Sequence, residues 1–176
     1  MKRVIFIVVC LHFLTPSVHA QSDFYKGKQI KIVVGASAGA ASDLYARVVA
    51  HHLPKQIPGK PDIIVQNMPG AGSMTATNYV YTVAKPDGLT VVINNAALYF
   101  EQLLKKKEVQ YDWSKFTWVG SMTPTSVLLY MWAAAPYKTI HDVRTATVPP
   151  KCGATGTGNT SYYLPKLLEE AIGAKF

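Results

Sequence analysis

The sequence lacks a cysteine pair beyond residue 20, an apolar run long enough to span a membrane, a long block of one charge and a complete nucleotide or metal motif. Its cysteines are Cys10, inside the first apolar stretch, and Cys152, alone in the rest of the chain. No bridge can therefore close beyond residue 20, and packing has to hold the fold. The apolar run from Val4 to Leu14 contains His12 and falls short of the roughly 20 residues a membrane helix needs. Acidic residues are outnumbered, 10 against 18 basic, for a formal charge of +8. The basic residues are scattered, and the one dense cluster, Lys105 to Lys107, reads as a solvated helix end. Nucleic acid is not an expected partner.

Residues 1–20 do not enter the fold argument. Lys2 and Arg3 precede the apolar run, and Val18 and Ala20 supply a small-x-small pattern. The expectation is a secretory signal peptide cleaved after Ala20, with a periplasmic mature chain. Without Lys2 and Arg3 the formal charge falls from +8 to +6, which suits an anionic ligand or simple solubility. The remaining length is enough for one domain that buries about 70% of its unfolded surface.

No catalytic or metal-binding arrangement is expected either. His51, His52 and His141 have no paired metal-ligand spacing, and the adjacent His51 and His52 read as solvated positions on a helix. Cys152, in apolar strand-like surroundings, reads as a buried small hydrophobe. Asp43 reads as an N-cap or first-turn acid. An exported hydrolase is the remotest reading, because no nucleophile is paired with a base.

What the sequence does have is an alternation of strand and helix patterns. Gln29–Val34 and Asp62–Gln66 read as buried strands, and Leu89–Asn94 as a third. Helices are predicted from Asp43 to about Leu53, from about Ser73 to Ala84 with Ser73 or Thr75 as cap, and from about Leu98 to Lys106. The turns "PGKP" and "KPDG" separate them. The pattern predicts an α/β fold with a parallel sheet, whose loops at 35–42, 67–73 and 95–97 share one rim at the carboxyl ends of the strands.

Beyond residue 110 the pattern changes. "YDWSKFTWVGSM" and "SVLLYMWAAA" read as two apolar crossover strands, "YKTIHDV" as a short helix capped by Thr139, and "TVPPKCGA" as the approach to a further strand. "GATGTGNTS" then repeats the small-residue loop, followed by the helix "YYLPKLLEEAIG" with Gly173 as its C′ residue. The expected organisation is a signal peptide at 1–20, a first α/β domain at 21–122, and at 123–176 a crossover with the start of a second α/β domain. That second domain is expected to be incomplete, since a lone strand and helix cannot cover both faces of a parallel sheet.

The loops suggest an anion site. A helix N-terminus offers unpaired amides and about half a positive charge, and glycine and alanine let a ligand reach the backbone. A phosphate cofactor is not expected: "GASAGAAS" has neither the Walker lysine nor the dinucleotide G-x-G-x-x-G spacing. Ordinary tight turns are the alternative for any one loop, and their recurrence favours a site.

At this point the chain resembles the Bug-type extracytoplasmic solute receptors of tripartite tricarboxylate transporters. The resemblance rests on "DFYKGKQIKIVVG", "AGAASDLYARVVAHHL", "IPGKPDIIVQNMPGAGS", "TNYVY", "AKPDGLT", "FTWVGS" and "GATGTGNTSYYLPKLLEEAIGAKF", in matching order. It implies a type II-like periplasmic binding protein that is not an enzyme. Such a receptor needs no cofactor, closes on a small carboxylated solute and delivers it to membrane subunits. It also implies a ligand site from Ser37, Ala38, Gly39, Ala40 and Ser42 with Asp43, from Asn95 and Ala96, and from Thr155, Gly156, Thr157, Gly158, Asn159 and Thr160. "NMPGAG" is expected to shape the rim.

Two departures from the family pattern stand out. Gly39, Ala40 and Ala41 occupy the place of a glycine pair or triplet. If residue 40 requires positive φ, alanine there costs about 1 kcal/mol or more. Family members also continue past the equivalent of Phe176, so the expectation is a truncated or split receptor whose closure on ligand is weak or lost. The alternative reading is a remnant that presents the first domain to a signalling or membrane partner.

Overall fold

The computed structural model describes residues 24–122, 127–154 and 156–176. The predicted signal peptide and the predicted domain boundary near 122/123 fall on or beside residues outside that set.

The order is β1 (Gln29–Val34), α1 (Ala41–His52), β2 (Asp62–Asn67), α2 (Met74–Thr82), β3 (Thr90–Ile93), α3 (Leu98–Leu103), α4 (Ile140–Thr145) and α5 (Thr160–Ile172). The three strands form one sheet in the order β2-β1-β3. Both pairings are parallel, with Ile32 opposite Val65 on one side and Val91 on the other. The expected α/β class and all three strands of the first part are therefore present. Each strand differs from its expected span by no more than a residue at either end.

β1 is central and the most buried strand: Ile30, Ile32, Val33 and Val34 are all buried. Alternation along the strand puts Ile32 and Val34 on one face, where they pack with Ala46 of α1 and with Val49, Ala50, Ile63 and Val65. Val33, fully buried, faces the opposite side, and α2 makes contacts with β1 and β3. Covering both faces with helices is what a parallel sheet requires.

A second cluster forms around Met74, Leu98 and Tyr111, ringed by Tyr81, Val109, Trp113 and Phe116. Here the structure corrects one expectation. "YDWSKFTWVGSM" is not a strand but an aromatic strap with one 3₁₀ turn at Trp113–Lys115. Its rings stack among themselves, Trp113 and Trp118 lying 4.7 Å apart. The Tyr111 hydroxyl donates to the Leu98 carbonyl at 2.8 Å, and the Trp113 amide donates to Gln102 at 2.7 Å. Side-chain anchors thus hold the strap where a strand would need a ladder.

The expected strand over "SVLLYMWAAA" is also not formed at 127–135, nor the one approached by "TVPPKCGA": no strand follows Ile93 among the described residues. Residues 123–126 lie outside that set. Cys152 is exposed, contrary to the expectation of burial, because no sheet forms around it to cover it.

The helical expectations in this part do hold. Thr139 caps α4 in a full capping box with Asp142. Gly173 takes the left-handed position after α5 at φ 66°, its amide donating to Glu169 and that of Ala174 to Leu168.

Candidate functional site

Parallel pairing puts the carboxyl ends of the strands, and the loops that leave them, on one edge of the sheet. Gly35 N donates to Ile93 O at 3.0 Å and Met68 N to Val34 O at 2.8 Å, so the three loops leave the sheet side by side. The loop after β1 carries the first group of candidates. Ser37, Ala38 and Gly39 are exposed, Ala40 and Ser42 are half-buried, and Asp43 is 1% exposed.

Asp43 is the anchor of this loop. Its Oδ2 accepts from the Gly39 amide at 2.8 Å and from Arg47 Nε at 3.0 Å, and its Oδ1 accepts from Asn67 Nδ2 at 2.9 Å. Arg47, the Gly39 amide and Asn67 together hold its carboxyl down at about 2, because donors favour the charged form. Asn67 also donates to the Ala36 carbonyl at 3.0 Å. The loop is therefore fixed before any ligand arrives, and the Arg47 guanidinium offsets the one negative charge beneath it.

Ala40 stands at the N-cap of α1 with φ −69° and ψ 159° and gives no side-chain cap. The first-turn amides of α1 thus have no capping side chain, as an anion-binding helix end would have it. The condition placed on residue 40 is not met: the left-handed position belongs to Gly39, at φ 82°.

The loop after β2 is the most constrained part of the backbone. Gly70, Ala71, Gly72 and Ser73 all have positive φ, and left-handed non-glycine residues cost of order 1 kcal/mol or more each. Ser73 occupies the cap position of α2 without capping it. Its hydroxyl donates instead to the Gly35 carbonyl at 2.9 Å, tying the second loop to the first. A Cβ on Gly35 would lie 2.3 Å from that of Ser73, so the approach requires glycine.

The third and fourth loops meet each other. Asn95 Oδ1 accepts from the Ala97 amide at 2.9 Å and from Thr160 Oγ1 at 3.3 Å, while Ala96 is exposed. Asn159 caps α5, accepting from the Ser161 amide at 3.2 Å. Gly158 is buried against the second loop, and a Cβ on Gly72 would lie 2.6 Å from its carbonyl oxygen. Gly156 and Thr157 are exposed, and Thr155 lies outside the described residues.

The structure therefore joins Asn95 to Thr160, and it joins each outer loop to "NMPGAGS". No direct hydrogen bond links Ser37–Ser42 with Gly156–Thr160 among the described residues. Reasoning from sequence missed Arg47, and it missed the bond to Gly35 made by Ser73, which it read as a helix cap. Arg47 had a signal, since it lies four residues after Asp43 on one helix face; Ser73 had none, because its partner is a carbonyl.

No serine was expected in a G-x-S-x-G elbow, yet Gly35 to Gly39 spell that string between strand and helix. A nucleophile elbow needs a strained turn at its serine and a nearby histidine. Ser37 is not among the positive-φ residues, and neither histidine on α1 hydrogen-bonds it. His51 and His52 meet edge to face at the far end of α1, their centroids 4.7 Å apart, and both are exposed, as expected. No cluster of three or more metal-ligating side chains occurs among the described residues.

A parallel sheet with small-residue loops gathered at its carboxyl rim is the arrangement in which α/β proteins take ligands. Residues 45–176 match the family described as the tripartite tricarboxylate transporter family receptor, and the chain belongs to that family. It is similar to a UPF0065 protein of Agrobacterium vitis, 31% identical over 92% of this chain and 47% of the relative. It is also similar to a UPF0065 protein of Bordetella bronchiseptica, 34% identical over 64% of this chain and 31% of the relative. A UPF0065 protein of Cupriavidus necator is 31% identical over 70% of this chain and 36% of the relative. The chain thus spans less than half the length of these relatives. No solved structure matches it. The family is one of solute receptors rather than enzymes.

Proposed function

We propose that the chain acts in the periplasm as a binding component that captures a small carboxylated solute for a tripartite tricarboxylate transporter. The observation that carries this reading is the Ser37–Ser42 loop, locked by Asp43 and Asn67 in front of a helix whose first-turn amides no side chain caps. Backbone amides at such an end hold a carboxylate through charge-assisted hydrogen bonds worth about 1.5 to 3 kcal/mol each. Asn95, Ala96 and Gly156–Thr160 would supply the opposite side, with membrane subunits of the transporter as the onward partners.

Thermal unfolding and calorimetric titration with succinate, citrate and related acids test this. The expected result is a melting temperature that rises with ligand concentration, a ligand at 100 times its Kd stabilising the fold by about 2.7 kcal/mol. Asp43→Ala should lose that response. No response to any di- or tricarboxylate at millimolar concentration would overturn the carboxylate reading. It would favour a partner-binding protein, for which the exposed Leu128, Tyr130 and Trp132 are the relevant surface.

A further inference from the structure

The α3 residue Glu101 is 1% exposed, and the anion-site reading makes no use of it. Its Oε1 accepts from the Tyr163 hydroxyl at 2.7 Å. Its Oε2 is paired with Lys106 Nζ at 2.7 Å. Tyr163 lies in the first turn of α5, three residues after Thr160, and its ring packs on Phe100 at 5.3 Å between centroids. Directly above the carboxylate sits Gly158: a Cβ there would come 3.4 Å from Glu101 Oε1 and 3.0 Å from the Ala71 carbonyl.

A buried ion pair is a poor way to gain stability, because desolvation offsets most of the attraction. Nor does this pair join α3 to α5, since Lys106 follows α3 in the chain; the Tyr163 hydroxyl makes that connection. What the buried carboxylate adds is direction, since one acceptor oxygen faces one hydroxyl. We propose that Glu101 is a positioning residue for the fourth loop: through Tyr163, and with its charge balanced by Lys106, it sets Gly156–Thr160 against the Ala71–Ser73 turn. The latch links sequence segments 62 residues apart and fixes the spacing of the rim before ligand binds. Its effect on affinity rests on the receptor reading above, while the latch itself does not.

Hydrogen exchange on the whole chain tests it. In Tyr163→Phe, exchange of the amides at 158–163 should rise about tenfold through loss of one hydrogen bond to a charged acceptor. The β1 amides should keep their protection. Glu101→Leu, which also frees Lys106, should raise it at least as much, and adding Tyr163→Phe to Glu101→Leu should change nothing further at 158–163, because the Tyr163–Glu101 bond is already gone. Glu101→Gln keeps an acceptor for Tyr163 and should restore most of the protection, which a role confined to packing would not distinguish from leucine. Unchanged exchange at 158–163 in Tyr163→Phe, or an equal rise in β1, overturns the latch. If Glu101→Leu does not fold, Tyr163→Phe with Glu101→Gln decides the matter. Succinate and citrate titrations of the same proteins separate the two proposals. If the wild type responds to no di- or tricarboxylate, the carboxylate reading fails, and the exchange pattern still judges the latch.

Discussion

Residues 29–103 and residues 127–176 draw on the same vocabulary of apolar runs, small-residue loops and amphipathic helices, yet only the first becomes a layered sheet. In the first, β1 has a partner on each side, and helices cover it; Val33 and Val34 are fully buried. In the second, Leu128, Tyr130 and Trp132 are 79%, 88% and 81% exposed, and α4 and α5 are the regular elements. The difference shows that a helix can be specified locally while a strand cannot. Thr139 with Asp142, Asn159, and Gly173 mark helix ends through neighbours a few residues away, whereas a strand exists only through a ladder to another strand.

"NMPGAGS" is one place where the second region packs on the first, and the heaviest expected effect comes from breaking the bond between that loop and the loop after β1. Gly35→Ala would bring a Cβ to 2.3 Å from Ser73 Cβ and 2.8 Å from Ser73 Cα, and the backbone contact cannot be relieved by a rotamer change. Overpacking of this kind costs about 1 to 3 kcal/mol, to which loss of the buried Ser73 to Gly35 bond adds about 1 kcal/mol. Urea unfolding should show that loss. Exchange should rise in the first region, including β1, while the capping box of α4 is unaffected.

An intermediate effect appears on acidification and belongs to the first region. The Asp43 carboxyl, held at about 2 in the fold, titrates near 3.9 when unfolded. Its stabilisation is fully present above about pH 4 and is lost as pH falls towards 2, since the unfolded chain then binds the extra proton. Asp43→Asn should flatten the fall in stability between those limits. Its curve should lie furthest below that of the wild type above about pH 4 and approach it near pH 2. Asp112 and Asp142, also lowered by donors around them, retain their share of the acid slope in both proteins. Parallel curves from pH 4 to 2 would show that Asp43 is not held as its geometry requires.

What could be read from the sequence divides along the same line. The strands of the first region were legible because Gln29–Val34 and its partners are short apolar runs bounded by turns, and α/β alternation dictates parallel pairing. The loop after β1 was legible as small residues at a strand-to-helix junction. Their wiring was not, because Asn67 reaches Ala36 and Asp43 across 31 and 24 residues, a distance that carries no local pattern. Burial of Glu101 was equally hidden: in "LYFEQLLKKK" it looks like one more solvated charge, and only Tyr163 makes it otherwise. Cys152 failed in the opposite sense, its apolar neighbours suggesting a sheet that the described residues do not form.

The smallest expected effect falls at residue 40. Sequence comparison makes Ala40 look like an intrusion into a glycine run, so that Ala40→Gly would relieve strain and tighten binding. At φ −69° there is no strain to relieve, and the replacement should only loosen the unfolded chain, costing about 0.4 to 1 kcal/mol, and should leave the proposed response to carboxylates unchanged. The neighbouring position carries the sensitivity instead. Gly39 has φ 82°, open space where a Cβ would go, and an amide that donates to Asp43. Gly39→Ala therefore tests backbone torsion without a clash, at an expected cost of about 1 to 2 kcal/mol. Equal melting temperatures for the two variants would show that the loop has another conformation within easy reach.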